Sequence, residues 1–218
     1  GQHGLQTFSI GFERVGDLEG DEFEFSDIVA KEFDTHHHKL MMPSSTVLDG
    51  LDGAVGAMTE PMVSHDCIAF YLLSQAVSQH LTVVQSGQGA DELFAGYFKL
   101  KKITNQAILD QAIRKETQRA LLVDQKRDQA IASSLGINLK TPYLDPDFID
   151  FALKIPIEEK IIKNFEGKPI DKNLLRSLGK QIGLPEVIFR RPKKSFQYST
   201  GIQKEIKKAV PLSHEVSV

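Results

Sequence analysis

Apolar and polar positions alternate over L-Q-T-F-S-I-G-F, residues 5–12, with glycines at the borders, and this period of two predicts a strand. The next segment changes period. Phe23, Ile28, Val29 and Phe33 fall on one face of a helix over 21–33, and Ser26 is a candidate start within it. A second strand is predicted over 36–42, closed by Pro43. Ser44, Ser45 and Thr46 are candidate caps for a helix that carries Val47, Leu48, Leu51, Val55 and Met58 at helical spacing. A further helix fits 67–80, and a short apolar strand fits 81–85. After Tyr97 the pattern is helical: 103–134 has few breakers, 147–153 and 174–182 are further helices, and 210–218 reads as a loose end.

Strand, helix, strand, helix, helix, strand predicts an α/β domain with a parallel sheet covered by helices. The expected division is an α/β portion over 1–100, a mainly helical portion over 101–209 and a tail over 210–218. In such sheets ligands bind at the carboxyl ends of strands. The third strand ends in V-V-Q-S-G-Q-G-A-D-E-L-F-A-G-Y, residues 83–97, which places glycines and then two carboxylates at such an end. Gly87 and Gly89 permit positive φ and close approach of a ligand to main-chain N–H groups, and Ser86 adds a hydroxyl. Asp91 and Glu92 alone would repel an anion there. A hard cation such as magnesium reconciles them by taking carboxylate oxygen on one side and polyphosphate oxygen on the other. A tight strand-to-helix turn, with Asp91 and Glu92 complementing the first turn, accounts for the same residues without a ligand.

Composition adds little to the class. The 218 residues are 41% hydrophobic and 25% charged, as in ordinary globular proteins. No run reaches the roughly eighteen apolar residues of a membrane span, and the single cysteine, Cys67, excludes a disulfide framework. A cytoplasmic, reducing location is expected. The charge is uneven: residues 1–150 hold 12 basic and 22 acidic groups, whereas 151–218 hold 14 and 7. The basic C-terminal part suits phosphate handling, and two oppositely charged solvated faces account for the asymmetry equally well. Aromatic residues are only 8% and are not interleaved with the basic ones, which argues against nucleic acid. His36, His37 and His38 alternate across a strand and lack partners at ligand spacing, so a structural role is expected. Arg127–Asp128 reads as an exposed neighbouring pair or a group near pyrophosphate, and Cys67 as core.

The 83–97 string resembles the signature S-G-E-G-A-D-E-x-F-G-G-Y of the asparagine synthetase family, from its ATP-pyrophosphatase domain. Further matches follow in the family's order: T-F-S-I-G-F at 7–12, F-D-T-H-H-H at 33–38, T-E-P-M-V-S-H-D at 59–66, T-P-Y-L-D at 141–145 and R-R-P-K-K-S-F at 190–196. The resemblance implies an adenine nucleotide α-hydrolase-like fold and an ATP-dependent carbon–nitrogen ligase. Such an enzyme adenylates a carboxylate, releases pyrophosphate and passes the acyl group to ammonia. It implies ATP and Mg2+, with the backbone near Ile10 on adenine, Ser86 and Gly87 on phosphates, Asp91 on magnesium and Lys193 stabilising the α-phosphate during adenylation. Glu60, Asp66 and Glu92 are substrate-side candidates, with helix capping an equal account of Asp66. The carboxylate would be aspartate or a glutamine-containing dipeptide, with ammonia from a glutaminase domain or another source elsewhere.

Two departures qualify this. The S-G-G-x-D-S loop that precedes the first strand in the family has no counterpart, nor has the glutaminase domain, so a fragment, or a second chain supplying the rest, is expected. Gln88 stands where most asparagine synthetases carry the glutamate that takes a proton from ammonia, and a glutamine amide is no base near neutral pH. S-G-Q-G-A-D-E resembles instead the N-acetylglutaminylglutamine amidotransferase branch. Gln88 also permits an internal amine as nucleophile, as in β-lactam synthetases, and the missing loop permits a non-catalytic nucleotide-binding module.

Overall fold

The computed structural model describes residues 4–13, 21–43, 45–58, 66–163, 167 and 169–192. They fall into two compact units, one formed by residues up to 82 with 130–137 and the other by 83–129 with 138–192. In chain order the first unit contains β1 (Gln6–Phe12), α1 (Phe23–Glu32), β2 (His36–Met42), α2 (Thr46–Ala57) and α3 (Asp66–Val77). The second contains β3 (Val83–Gln85), α4 (Ala90–Leu93), α5 (Phe98–Lys101), α6 (Gln106–Arg119), a π-helical turn (Ala120–Asp124), the start of α7 (Gln125–Ser134), β4 (Asn138–Lys140), α8 (Pro146–Lys154), α9 (Ile157–Lys160), β5 (Ile162–Lys163), β6 (Pro169–Ile170), α10 (Asn173–Gln181) and α11 (Glu186–Phe189). The C-terminal half of α7 belongs with the first unit.

In the first unit β1 and β2 pair in parallel, with Phe8 opposite His38 and Ile10 opposite Leu40. The predicted parallel direction is therefore present. Among the described residues neither strand has a second partner. Ile10 and Phe12 pack with Val47, Ala54, Cys67, Ile68, Ala69, Leu72 and Ile131, all nearly sealed from water. Cys67 is a core residue, as expected. Helix α1 begins three residues before Ser26: the Asp21 carboxylate accepts from Phe23 N–H at 2.9 Å, while Ser26 lies inside and donates to the Phe23 carbonyl. At α2, Ser45 occupies the cap position without a side-chain cap bond, and Ser44 lies outside the described residues.

The three histidines serve the sheet. His37 bonds Thr7 at 2.9 Å and Ser26 at 3.0 Å, and His38 bonds Gln6 and stacks on Phe8 at 4.5 Å. Burial, helped by the neighbouring His36, His80 and His37, lowers the pKa of His38.

In the second unit β3 and β4 form another parallel pair, Val84 opposite Leu139, and β5 and β6 a short antiparallel one. The one continuous parallel sheet expected from the sequence is thus two separate two-stranded parallel ladders among the described residues. The helical run predicted over 103–134 is α6 and α7 joined by the π turn, and the Asn105 side chain caps α6 by accepting from Ile108 N–H at 3.1 Å. Two apolar clusters fill this unit, one around Leu93, Phe94, Ala120, Leu144, Ile149 and Ala152, the other around Ala95, Leu100, Leu109 and Ile113. T-P-Y-L-D-P shapes the chain locally. Pro142–Leu144 make one 3-10 turn, and Asp145 caps α8 by accepting from Asp147 and Phe148 N–H with Pro146 at the first helical position. No helix among the described residues is long and apolar enough to cross a membrane.

Candidate functional site

The segment after β3 turns back on itself within five residues. Ser86 N–H donates to the Lys140 carbonyl at 2.9 Å, which extends the β3–β4 ladder by one bond. The Ser86 hydroxyl accepts from Gln88 N–H at 3.2 Å. Gly89 then takes φ +97°, a left-handed conformation, and starts the single turn α4. A Cβ on Gly89 would lie 2.6 Å from Leu144 Cδ2, so both its torsion and its packing require glycine. Gly87 differs from the expectation for it. It does not adopt positive φ, and no atom stands within 4 Å of where its Cβ would be. It is an exposed stretch of backbone open on its Cβ side, compatible with a ligand's close approach for a steric rather than a torsional reason.

Asp91 and Glu92 face different surroundings. The Asp91 carboxylate meets the Lys172 ammonium at 2.7 Å. Its seat depends on Gly96, whose Cβ would fall 1.8 Å from Asp91 Oδ1, and Gly96 N–H in turn donates to the Asp91 carbonyl at 2.8 Å. Lys172 is anchored by its own N–H to the Phe94 carbonyl at 3.1 Å. Glu92 is turned inward, 5% exposed, and accepts a hydrogen bond from the Tyr97 hydroxyl. Burial pushes the Glu92 carboxyl upward against that bond, and burial together with Glu92 raises Tyr97.

Gln88 points into a row of charges. Its Nε2 donates to Asp128 Oδ2 at 2.6 Å, and Asp128 Oδ1 accepts from Arg127 Nε at 2.7 Å. Arg127 reaches on to Asp124 at 3.2 Å, and Asp124 also pairs with Arg119 at 2.9 Å. The expectation that Arg127–Asp128 is an exposed pair is corrected. The two do bond each other, but their side chains are only 12% and 10% exposed, because α7 follows directly on the π turn and lays its first turn inward. π-helical turns recur at functional sites. Burial raises the Asp128 carboxyl, opposed by the Arg127 and Gln88 bonds.

The chain also fixes the approach to its basic C-terminal string. Arg176 donates to the Phe189 and Arg191 carbonyls at 2.7 and 2.8 Å and pairs with Asp171 at 2.6 Å. Asp171 is buried and takes a second cation, Lys101, at 2.6 Å; burial would raise its carboxyl, but these two partners outweigh that and hold it low. Lys193 and Glu60 lie outside the described residues, and Asp66 is the first described residue of α3. Ile10 belongs to the first unit, 8% exposed, in the β1–β2 ladder. Ser86, Gly87, Gln88, Asp91 and Glu92 are brought together on one turn of the second. Sequence reasoning missed Lys172 and Asp124 altogether. Nothing local marks Lys172, whereas the run D-Q-K-R-D at 124–128 could have flagged Asp124.

The family model for asparagine synthase matches residues 1–123 and 101–211. The chain belongs to the asparagine synthase family. Within that family it is 28% identical over 200 residues to the glutamine-hydrolysing asparagine synthetases of Cricetulus griseus and Homo sapiens, covering 89% of this chain and 34% of each relative. The Rattus norvegicus enzyme gives the same identity over 199 residues. This member of the asparagine synthase family thus spans about a third of the length of the curated relatives it matches.

As a metal site, Asp91 offers one carboxylate beside Lys172, and no group of three or more His, Cys, Asp or Glu among the described residues could hold an ion. Magnesium is commonly held by one or two carboxylates together with substrate phosphates. Asp91 would supply one such carboxylate, and the remaining ligands would have to come from substrate phosphates and water.

Proposed function

We propose that this chain is the synthetase part of an ATP-dependent amide-forming ligase. The carboxylate oxygen of an acid substrate attacks the α-phosphorus of ATP and pyrophosphate leaves. An amine nitrogen then attacks the acyl carbon, and AMP departs with the bonding pair as one N–H proton is lost. The reading is carried by the turn after β3, where the open backbone of Gly87 and the Ser86 hydroxyl precede, within one short stretch, Asp91, a carboxylate already matched to a cation by Lys172. Ser86 and Gly87 are the proposed phosphate contacts and Asp91 the magnesium ligand, and the resemblance assigns the backbone near Ile10 to adenine. Magnesium, when bound, would neutralise charge on the departing pyrophosphate. Lys193 would oppose the charge that builds at the α-phosphate. Glu60, Asp66 and Glu92 are the substrate-side residues, and the acid is aspartate or a glutamine-containing dipeptide.

Arg176 supports the assignment to Lys193, because it holds the two carbonyls that lead into that string. The nitrogen source is proposed to be a glutaminase domain or free ammonia, in keeping with relatives named as glutamine-hydrolysing. The test is ATP–pyrophosphate exchange driven by L-aspartate or by N-acetylglutaminylglutamine in the full-length protein. Lys193→Ala is expected to lower exchange by at least a hundredfold, and undiminished exchange contradicts the role. A second reading, internal amine attack, is favoured by Gln88 standing where a base would be needed. It predicts AMP formation with no added nitrogen source.

A further inference from the structure

The two faces of the β1–β2 ladder hold histidine in different ways. On the face covered by α1, His37 meets a hydroxyl at each ring nitrogen, Thr7 at Nδ1 and Ser26 at Nε2, and a hydroxyl can donate or accept. On the opposite face, imidazoles meet one another. The His38 ring lies 4.8 Å from that of His36, two residues back on β2, and 4.9 Å from that of His80, just beyond the end of α3. Phe8, the register partner of His38 on β1, stacks on it at 4.5 Å and stands 5.7 Å from His80. His80 is held in turn by its N–H on the Val77 carbonyl at 2.9 Å. The cluster thus ties the last turn of α3 to the amino end of the first strand pair.

This packing suits neutral rings. Gln6 Oε1 accepts from His38 Nε2 at 3.0 Å, which leaves Nδ1 to take an arriving proton. The charged groups that act on His38 are all imidazoles, those of His36, His80 and His37. β1 carries no titratable side chain. Lys39 points to the other face, where Asp27 of α1 pairs with it at 2.8 Å, and Glu24, Lys31 and Glu32 belong to that same helix. On α3, Asp66 stands at the far end and Tyr71 lies against Gly53 of α2. The face of Phe8 attracts one cation, but it does not relieve repulsion between two. Burial, followed by His36, His80 and His37, lowers the pKa of His38 from 6.5. As pH falls through 6.5 the unfolded chain therefore takes the proton first, and the folded contact loses stability.

We infer that His36, His38 and His80 form an acid-sensitive latch, which holds the amino end of the β1–β2 ladder and the end of α3 together while the rings are neutral and releases them when the rings become cations. The release is local. Further along the same ladder Ile10 and Phe12 are packed into the core with Val47, Cys67, Ile68 and Ile131, and no imidazole of the cluster reaches that layer. A strand pair rooted at one end and latched at the other opens from the latched end first.

The experiment is amide hydrogen exchange in the full-length protein, with each rate divided by its intrinsic rate at the same pH. Between about pH 7.5 and about pH 5.5, residues 6–8 and 36–38 are expected to lose at least about threefold in protection, while 10–12, 40–42 and α8 change by less than about 1.5-fold. His38→Phe keeps a ring on Phe8 and removes the central charge, and His80→Gln removes an outer one. Either variant is expected to flatten the pH response of the amino end. Protection there that does not change with pH in the parent overturns the inference, a result that needs no variant to fold. A parent-like response in both folded variants overturns it too, as does a loss of the same size in α8, which would mark acid unfolding of the whole chain.

Discussion

At Gly89 one residue's backbone decides the shape of the whole turn. The left-handed torsion at φ +97° is costly for any residue with a Cβ, and that Cβ would press to 2.6 Å from Leu144. Gly89→Ala is expected to destabilise the protein by about 2–4 kcal/mol in chemical denaturation, and a variant within about 0.5 kcal/mol of the parent would show that the turn has another way to fold. Gly87, two positions earlier, carries neither constraint. The sequence presents the two glycines as equivalents, and the left-handed torsion of Gly89 and its packing on Leu144 separate them. Ala95 shows the reverse: it adopts φ +57° without being glycine, held where Gly96 N–H closes the end of α4 onto the Asp91 carbonyl.

Among the elements, the segment after α10 is fixed by one side chain. Arg176 on α10 ties Asp171, just before its own helix, to the carbonyls of Phe189 and Arg191 at the end of α11 and just beyond it. Replacing it leaves Asp171 buried with Lys101 alone and frees two carbonyls. Arg176→Met is therefore expected to cost about 3 kcal/mol in thermal or urea unfolding. It is also expected to reduce ATP–pyrophosphate exchange, because Arg191 stands two residues before Lys193. Exchange at the parent rate in a folded Arg176→Met protein would separate this clamp from the chemistry. The π turn plays a comparable part for α7. It is invisible in a helical periodicity, yet it turns Arg127 and Asp128 inward and converts an apparently solvated pair into a brace for Gln88.

For the molecule as a whole, stability against pH carries the signature of one buried lysine. Lys160 is completely buried, and its Nζ has no hydrogen-bond partner among the described residues. Burial lowers its pKa to about 8, with Asp110 opposing and Arg114 adding to the shift. Below about pH 8 both folded and unfolded chains hold the proton, and the folded chain bears the desolvation cost. Above that value the folded chain releases the proton while the unfolded one keeps it up to its ordinary value of 10.5, so this group makes stability rise between about pH 8 and 10.5. Lys160→Met is expected to stabilise the protein by about 1–3 kcal/mol at pH 7 and to remove that rise. A melting temperature that is unaltered at pH 7, with the rise intact, would contradict it. Much of the architecture was legible beforehand: the period-two and helical-period segments delivered β1, β2, α2, α3 and the parallel direction, since alternation and apolar spacing report which face of an element is buried. The motif string was legible too, because its glycines, hydroxyl and carboxylates are neighbours in the chain. What joins residues far apart was not, including the β4 strand beside β3, Lys172 on Asp91, and Asp128 on Gln88 across 40 positions. The sequence by itself determined the family, the elements and the chemical character of the turn, because these depend on local composition and order. Only the tertiary structure decided which carboxylates are paired, which glycine is obligatory and which way the Gln88 amide faces, because burial and the direction of a hydrogen bond exist only once distant segments meet.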